Sequence, residues 1–280
     1  MFAWATSNYP RGEEPSHRTG DVIPKVRPMP GGLGAPRYDD IGRTYARARR
    51  ADPRIMAQIL AALGRAGTVV NVGAGTGNYE PVDRHVVAVE PSGTMIGQRA
   101  PGAAPVVRGV AEQLPFPDDT FDAALAVLTV HHWTDQGAGL REMRRVARRQ
   151  VIFAFDPSTS GTYWLVDDYF PEYRALESEW RAPTPADIGH HLDVDRVEVI
   201  PVPGDCTDGF GGAYWKRPEA HLDPVVRAGM SWIAQLDPAV VERNVARLAV
   251  ELADGRWEAK YGHLRDQDTI DLGYRLVVCR

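Results

Sequence analysis

Between Ala51 and Asp156 the hydrophobic residues alternate between two rhythms. Ile55, Ile59, Leu60 and Leu63 recur at helical spacing behind Asp52-Pro53, a capping carboxylate and a proline suited to a first helical turn, and Gly67 marks the stop. Short apolar runs then predict strands at Thr68–Val72, Val86–Val89, Pro105–Val107, Phe121–Val130 and Gln150–Phe155. Ala138–Ala147 is the clearest helix among them. Strands alternating with helices predict an α/β fold: a doubly wound, mostly parallel seven-stranded sheet covered on both faces. Beyond Pro157 the rhythm breaks. Tyr163–Trp180 reads as aromatic, acidic and helical, Arg196–Pro201 as a strand, Asp208–Arg256 as two helices, and Gly273–Cys279 as a last strand. The stretch between the last two strands is too long for a hairpin turn, so a helical insertion near the C-terminus is expected over the mouth of the sheet. Residues 1–36 have no periodic apolar pattern and read as a mobile arm, followed by a helix from Tyr38. Residues 37–280 then form one domain, with 158–190 and 205–268 as lid or insertion segments.

Val69-Val70-Asn71-Val72-Gly73-Ala74-Gly75-Thr76-Gly77 runs a buried strand into three glycines at alternate positions. Glycine there admits positive φ and lets a ligand approach the main chain. Glu90 ends the next strand, seventeen positions after Gly73, where a carboxylate can accept hydrogen bonds from both hydroxyls of a ribose. A strand, a glycine loop, a second strand and an acid fit an adenosine. A dinucleotide site wants Gly-x-Gly-x-x-Gly, but here the third glycine comes one place early and Asn78 stands where Gly or Ala is expected. S-adenosylmethionine, which has no phosphate, suits this spacing better.

Further blocks follow in order: Ala88-Val89-Glu90-Pro91-Ser92 with Met95, Ala111–Phe116, Phe121-Asp122, Val130-His131-His132-Trp133, and Arg141-Glu142 to Phe155. From Tyr38 to Pro157 the chain resembles the class I S-adenosylmethionine-dependent methyltransferases, in the bacterial small-molecule group related to ubiquinone/menaquinone-biosynthesis methyltransferases. The resemblance implies that Gly73, Ala74 and Gly75 face the methionine part of S-adenosyl-L-methionine and that Glu90 holds its ribose. It sets Pro91, Ser92 and Met95 near ribose and adenine, Ala111 and Glu112 at the adenine edge, Val127 and Leu128 near the sulfonium, and Tyr38 closing over the cofactor. Two positions depart from the family. Asn71 replaces an acid that often helps hold the cofactor's ammonium, and Val110 replaces an Asp that reaches the adenine amino group.

Methyl transfer is an in-line displacement, and a hydroxyl or ammonium acceptor also has to lose a proton. His131 and His132 are the candidate bases, although a packing or hydrogen-bonding role is open for both. If the strand stays extended there, the two rings point to opposite sides and one at most faces the pocket. Asp156-Pro157-Ser158 follows the fifth strand, not the fourth, and so differs from the motif of nucleic-acid amino-methyltransferases; Asp156 either touches the pocket or caps a loop. Tyr163, Trp164, Tyr169, Phe170 and Trp215 are either acceptor-stacking aromatics or the core of the lid.

Charge narrows the partners. The formal net charge is -5, which argues against nucleic acid and anionic membranes as partners. Arg144, Arg145, Arg148 and Arg149 read as the solvated face of a helix. Two cysteines, Cys206 and Cys279, supply neither a metal spacing nor a disulfide framework, so no metal and a cytoplasmic location are expected. No apolar run is long enough to span a membrane. The expected partner is a small-molecule substrate, whose identity and attacking atom the sequence leaves open, as it does the oligomeric state. A nicotinamide-dependent oxidoreductase and a non-catalytic S-adenosylmethionine-binding protein are the alternatives.

Overall fold

The structure is a computed structural model that describes residues 49–160 and 163–280, so the expected N-terminal arm and Tyr38 lie outside the described residues. Helix α1, Pro53–Leu63, begins where Asp52 Oδ1 accepts from the Arg54 amide, and it buries Ile55, Ile59, Ala62 and Leu63. Its C-cap is Gly64 rather than Gly67. Seven strands make the main sheet: β1 Thr68–Val72, β2 His85–Glu90, β3 Val106–Arg108, β4 Phe121–Val127, β5 Ala147–Phe155, β6 Val194–Val199 and β7 Tyr274–Cys279. Their spatial order is β3-β2-β1-β4-β5-β7-β6. β1 to β5 are mutually parallel, and β7 runs antiparallel between β5 and β6.

Parallel strands buried on both faces need apolar residues at successive positions. Val69, Leu125, Val151 and Phe153 point to the side of α1, while Val70, Val72, Ala124 and Ile152 pack on α2, Gln136–Val146. α2 starts at Asp135, whose Oδ1 accepts from Ala138 N, and buries Leu140, Met143 and Val146. The arginine cluster does not form one helix face as expected, because α2 ends at Val146 and β5 begins at once. Arg145 turns inward and donates to Glu142, Asp118 and the carbonyls of Leu114 and Phe116, and Arg149 donates from β5 to the Ala62 carbonyl.

Downstream of β5 the helical expectation is only partly met. Tyr163–Trp180 is no continuous helix: it breaks into turns at Leu165–Tyr169 and Pro171–Ala175 and a short helix Glu177–Trp180. Pro171 forces one break, since it lacks the amide a continuing helix needs. Between β6 and β7 the chain carries the insertion, with its long helix α3 at Pro238–Ala253 and a shorter α4 at Arg256–Tyr261. A two-stranded pair, Val202–Pro203 with Thr269–Ile270, closes its base. Trp215 and Trp257 of the insertion pack with Trp164 of the segment after β5, continuous with the α1 side of the sheet. Asp208 in the insertion pairs with Arg49 through two hydrogen bonds of 2.6 and 3.1 Å. No helix among the described residues is long and apolar enough to cross a membrane.

His221 is fully buried beside Trp164 and Tyr214, and neither ring nitrogen has a hydrogen-bond partner. Burial, with Arg227 and Arg217 nearby, holds its pKa down at about 3. The folded protein therefore keeps the ring neutral while the unfolded chain takes up a proton as pH falls below about 6.5. Stability is expected to drop by about 2 kcal/mol between pH 7 and pH 5 from this residue alone. Urea unfolding of His221→Leu should lack this part of the acid loss and show higher stability at pH 5 than the parent.

Candidate active site

The parallel strands bring their carboxyl ends to one edge, where the loops after β1, β2 and β4 enclose a cleft of about 400 Å³. The glycine loop forms one wall. Gly73, Gly75 and Gly77 all have positive φ. A Cβ at Gly73 would stand 2.1 Å from Thr129 Oγ1 of the loop after β4, so this glycine permits two loops to close on each other. The loop leads into no helix. Residues 76–84 run as turns until β2 begins at His85, which leaves no helix N-terminus to hold a pyrophosphate.

Glu90 is the buried acid of the cleft, 5% exposed. Its Oε2 accepts from Gly75 N at 2.8 Å and its Oε1 from Ser92 N at 2.9 Å. Asn71, Gly73, Ala74, Gly75, Glu90, Pro91, Met95, Ala111, Glu112, Val127 and Leu128, all singled out from the sequence, line this one cleft. Ser92 does not. It is fully buried, and its Oγ accepts from Met95 N, capping the turn at Gly93–Ile96. Glu112 reaches across to accept from the amides of Thr134 and Asp135 at 2.7 and 3.1 Å. Asp156 caps: its Oδ1 accepts from the amide and hydroxyl of Ser158.

β4 stops at Val127, three residues short of the expected Val130. Leu128 adopts φ 49, a left-handed conformation that a branched side chain disfavours, and Val130–His132 form a 3-10 turn. The strand is therefore not extended at the histidines, and the opposite-sided placement that an extended strand would give does not arise. Their centroids lie 3.7 Å apart. His131 packs edge-on against Phe155 and lines a second, inner chamber, while His132 lines both the cleft and the chamber.

The chamber lies between the end of β4 and the segments after β5 and β6. It holds about 60 Å³, room for about five water-sized groups. Phe155, Tyr163, Tyr173, Phe210, Trp232 and Tyr274 form its aromatic lining, with Ser160, Glu179 and Ser231 as polar points. Burial pushes the phenols of Tyr163, Tyr173 and Tyr274 well above their ordinary pKa, so all three stay protonated at neutral pH. Tyr163 donates to the Gly211 carbonyl, and Tyr274 accepts from the Gly212 amide. Of the five aromatics left open between acceptor stacking and lid core, Tyr163 lines the chamber, while Trp164, Tyr169 and Phe170 of the segment after β5 and Trp215 of the insertion are core. Phe210 and Trp232 in the chamber, and Arg49 and Thr129 in the cleft, carry no motif that marks them in the sequence; Phe155 and Trp133 fall within the family-like blocks but without an assigned role. No metal-binding cluster of His, Cys, Asp or Glu occurs among the described residues.

Comparison with known proteins gives a consistent result. A family model described as a methyltransferase domain matches residues 70–155. The structure of a candidate methyltransferase from an antibiotic biosynthesis pathway of Anabaena variabilis is 31% identical, with a TM-score of 0.76. That match covers 83% of this chain and 99% of the other. A demethylmenaquinone methyltransferase of Mycolicibacterium paratuberculosis is 33% identical over 43% of this chain and 54% of its own length. An uncharacterized methyltransferase of Bacillus subtilis is 29% identical over 39% of this chain and 44% of its own length, so the chain spans about half of these curated relatives.

The Gly73 contact yields a test by comparison. Gly255 also has positive φ, but a Cβ there meets nothing within 4 Å. Gly255→Ala should cost about 1 kcal/mol, the left-handed strain alone. Gly73→Ala adds the collision with Thr129 and should cost at least twice as much in equilibrium unfolding.

Proposed function

This chain belongs to the S-adenosylmethionine-dependent methyltransferases, with S-adenosylmethionine as its cofactor, and from that premise we propose that it methylates a small molecule held in the aromatic chamber. The observation that carries this reading is that cleft and chamber meet at one place: Arg49, Leu128 and His132 line both. The bound cofactor supplies a methyl carbon made electrophilic by its sulfonium. The chain has to bind, align and shield.

The cleft residues fit this cofactor. Its acidic anchor, Glu90, lies at the end of β2, and the amide oxygen of Asn71 is buried without a hydrogen-bond partner, as expected of an acceptor that awaits a donor. Glu90 would take the ribose hydroxyls, Gly73, Ala74 and Gly75 the amino-acid end, and Pro91 and Met95 the ribose and adenine. Ala111 and Glu112 would border the adenine, and Val127 and Leu128 the sulfonium. Ser92 acts through Glu90, by holding Oε1 with its amide. The aromatic chamber excludes water from the acceptor, and its size favours a compact one. His132 is the better placed of the two histidines to take a proton from an acceptor hydroxyl or ammonium, because it touches both spaces; His131 packs behind it on Phe155.

Two outcomes are expected. Glu90→Gln should weaken S-adenosylhomocysteine by about tenfold to a hundredfold in calorimetric titration, since a charged acceptor becomes neutral. Unchanged affinity would remove the ribose role. With an acceptor found by mass spectrometry of methylated products from metabolite extracts, His132→Gln should lower turnover at least tenfold and leave S-adenosylhomocysteine affinity within about threefold. Equal loss of both would assign His132 to cofactor binding instead.

A further inference from the structure

Asn71, next to last in β1, lines the cleft, and the turns that replace a helix after the glycine loop place Glu80 behind it. Asn71 Nδ2 donates to Glu80 Oε1 at 3.2 Å. Arg99 Nη2 donates to both Glu80 oxygens at 2.7 Å, and the Ala104 amide donates to Oε2 at 3.2 Å. The side chains of this ion pair are 7% and 5% exposed. Arg99 Nη1 also donates to the Gly75 carbonyl, so the pair is fastened to the glycine loop. A Cβ on Gly77 would stand 2.9 Å from Glu80 Oε2, so the third glycine makes room for the pair.

An ionised carboxylate only accepts hydrogen bonds. Glu80 therefore decides which way the Asn71 amide is turned: the nitrogen faces Glu80, and the oxygen is left buried with no donor. The same contact explains why an amide stands here. A carboxylate at position 71 would lie about 3 Å from the Glu80 carboxylate, where one of the two would be driven to bind a proton.

We propose that Glu80, which does not line the cofactor cleft, is a positioning residue for the cofactor's ammonium. It holds Asn71 so that Oδ1 is the ammonium's acceptor, and its charge fixes position 71 as an amide. Moving that charge from 80 to 71 should preserve the function. In N71D/E80Q the new amide at position 80 donates through its nitrogen to the new carboxylate at position 71, while its oxygen accepts from Arg99. This inference rests on the cofactor reading above, and the test separates the two.

The full chain and its variants are titrated calorimetrically at neutral pH with S-adenosylhomocysteine and with 5′-methylthioadenosine, an adenosine thioether lacking the amino-acid end. Thermal unfolding checks each fold. Asn71→Val, which leaves the Glu80–Arg99 pair intact, should weaken S-adenosylhomocysteine about tenfold or more and leave 5′-methylthioadenosine within twofold. Asn71→Asp alone should also weaken S-adenosylhomocysteine, and N71D/E80Q should restore it to at least the parent's affinity. Glu80→Gln alone should fall between. If Asn71→Val weakens both ligands equally, or if Asn71→Asp binds as well as the charge-swapped double variant, Glu80 does not position the ammonium. A parent that binds neither ligand overturns the cofactor reading and this inference with it.

Discussion

A carboxylate held at both oxygens by main-chain amides organises this protein. Glu90 accepts from Gly75 on one side and Ser92 on the other, and it thereby joins the loop after β1 to the turn after β2. Charge-assisted bonds of this kind, 5% exposed, are stronger than neutral ones in water. They are made where parallel strands deliver their ends, so the sheet's polarity and the site's architecture are one fact. The cleft then needs only a third wall, which the loop after β4 supplies through Thr129 and its close approach to Gly73.

Most of this wall was legible in the sequence, because parallel strands leave a strong signature. Continuous apolar runs, a glycine loop and an acid at a strand end are all local patterns, and they carried the sheet, the glycine loop and Glu90, while the family resemblance supplied Pro91, Met95, Ala111, Glu112, Val127 and Leu128. Places where tertiary packing overrides local preference were not legible. Leu128 has no propensity for φ 49, yet it takes that conformation, ends β4 early and swings both histidines to one side. Arg145 reads as a solvated helix residue, but two carboxylates and two carbonyls draw it inward. The chamber lining was opaque for a related reason. Phe155, Phe210, Trp232 and Tyr274 come from distant stretches, and nothing local separates them from Trp164, Trp215 and Trp257 in the core.

The Glu80–Arg99 pair shows how a missing element is compensated. Without a helix after the glycine loop, that wall has no regular hydrogen bonding of its own. A buried ion pair, satisfied by a backbone amide, two carbonyls and the Asn71 side chain, takes its place. Such a pair adds little net stability relative to well-packed apolar residues, but removing one partner strands a buried charge. It therefore specifies one arrangement of the loop more than it strengthens the fold.

The insertion between β6 and β7 leaves the sheet and returns to it through adjacent antiparallel strands, with the Val202–Pro203 and Thr269–Ile270 pair as a clasp. The segment beyond that clasp packs onto the α1 side of the sheet as part of the same core. Phe210 and Trp232 belong to the insertion, whereas Glu90 and the glycine loop belong to the sheet's edge. A change beyond the clasp can therefore reshape one side of the chamber while the strands that build the cleft keep their register.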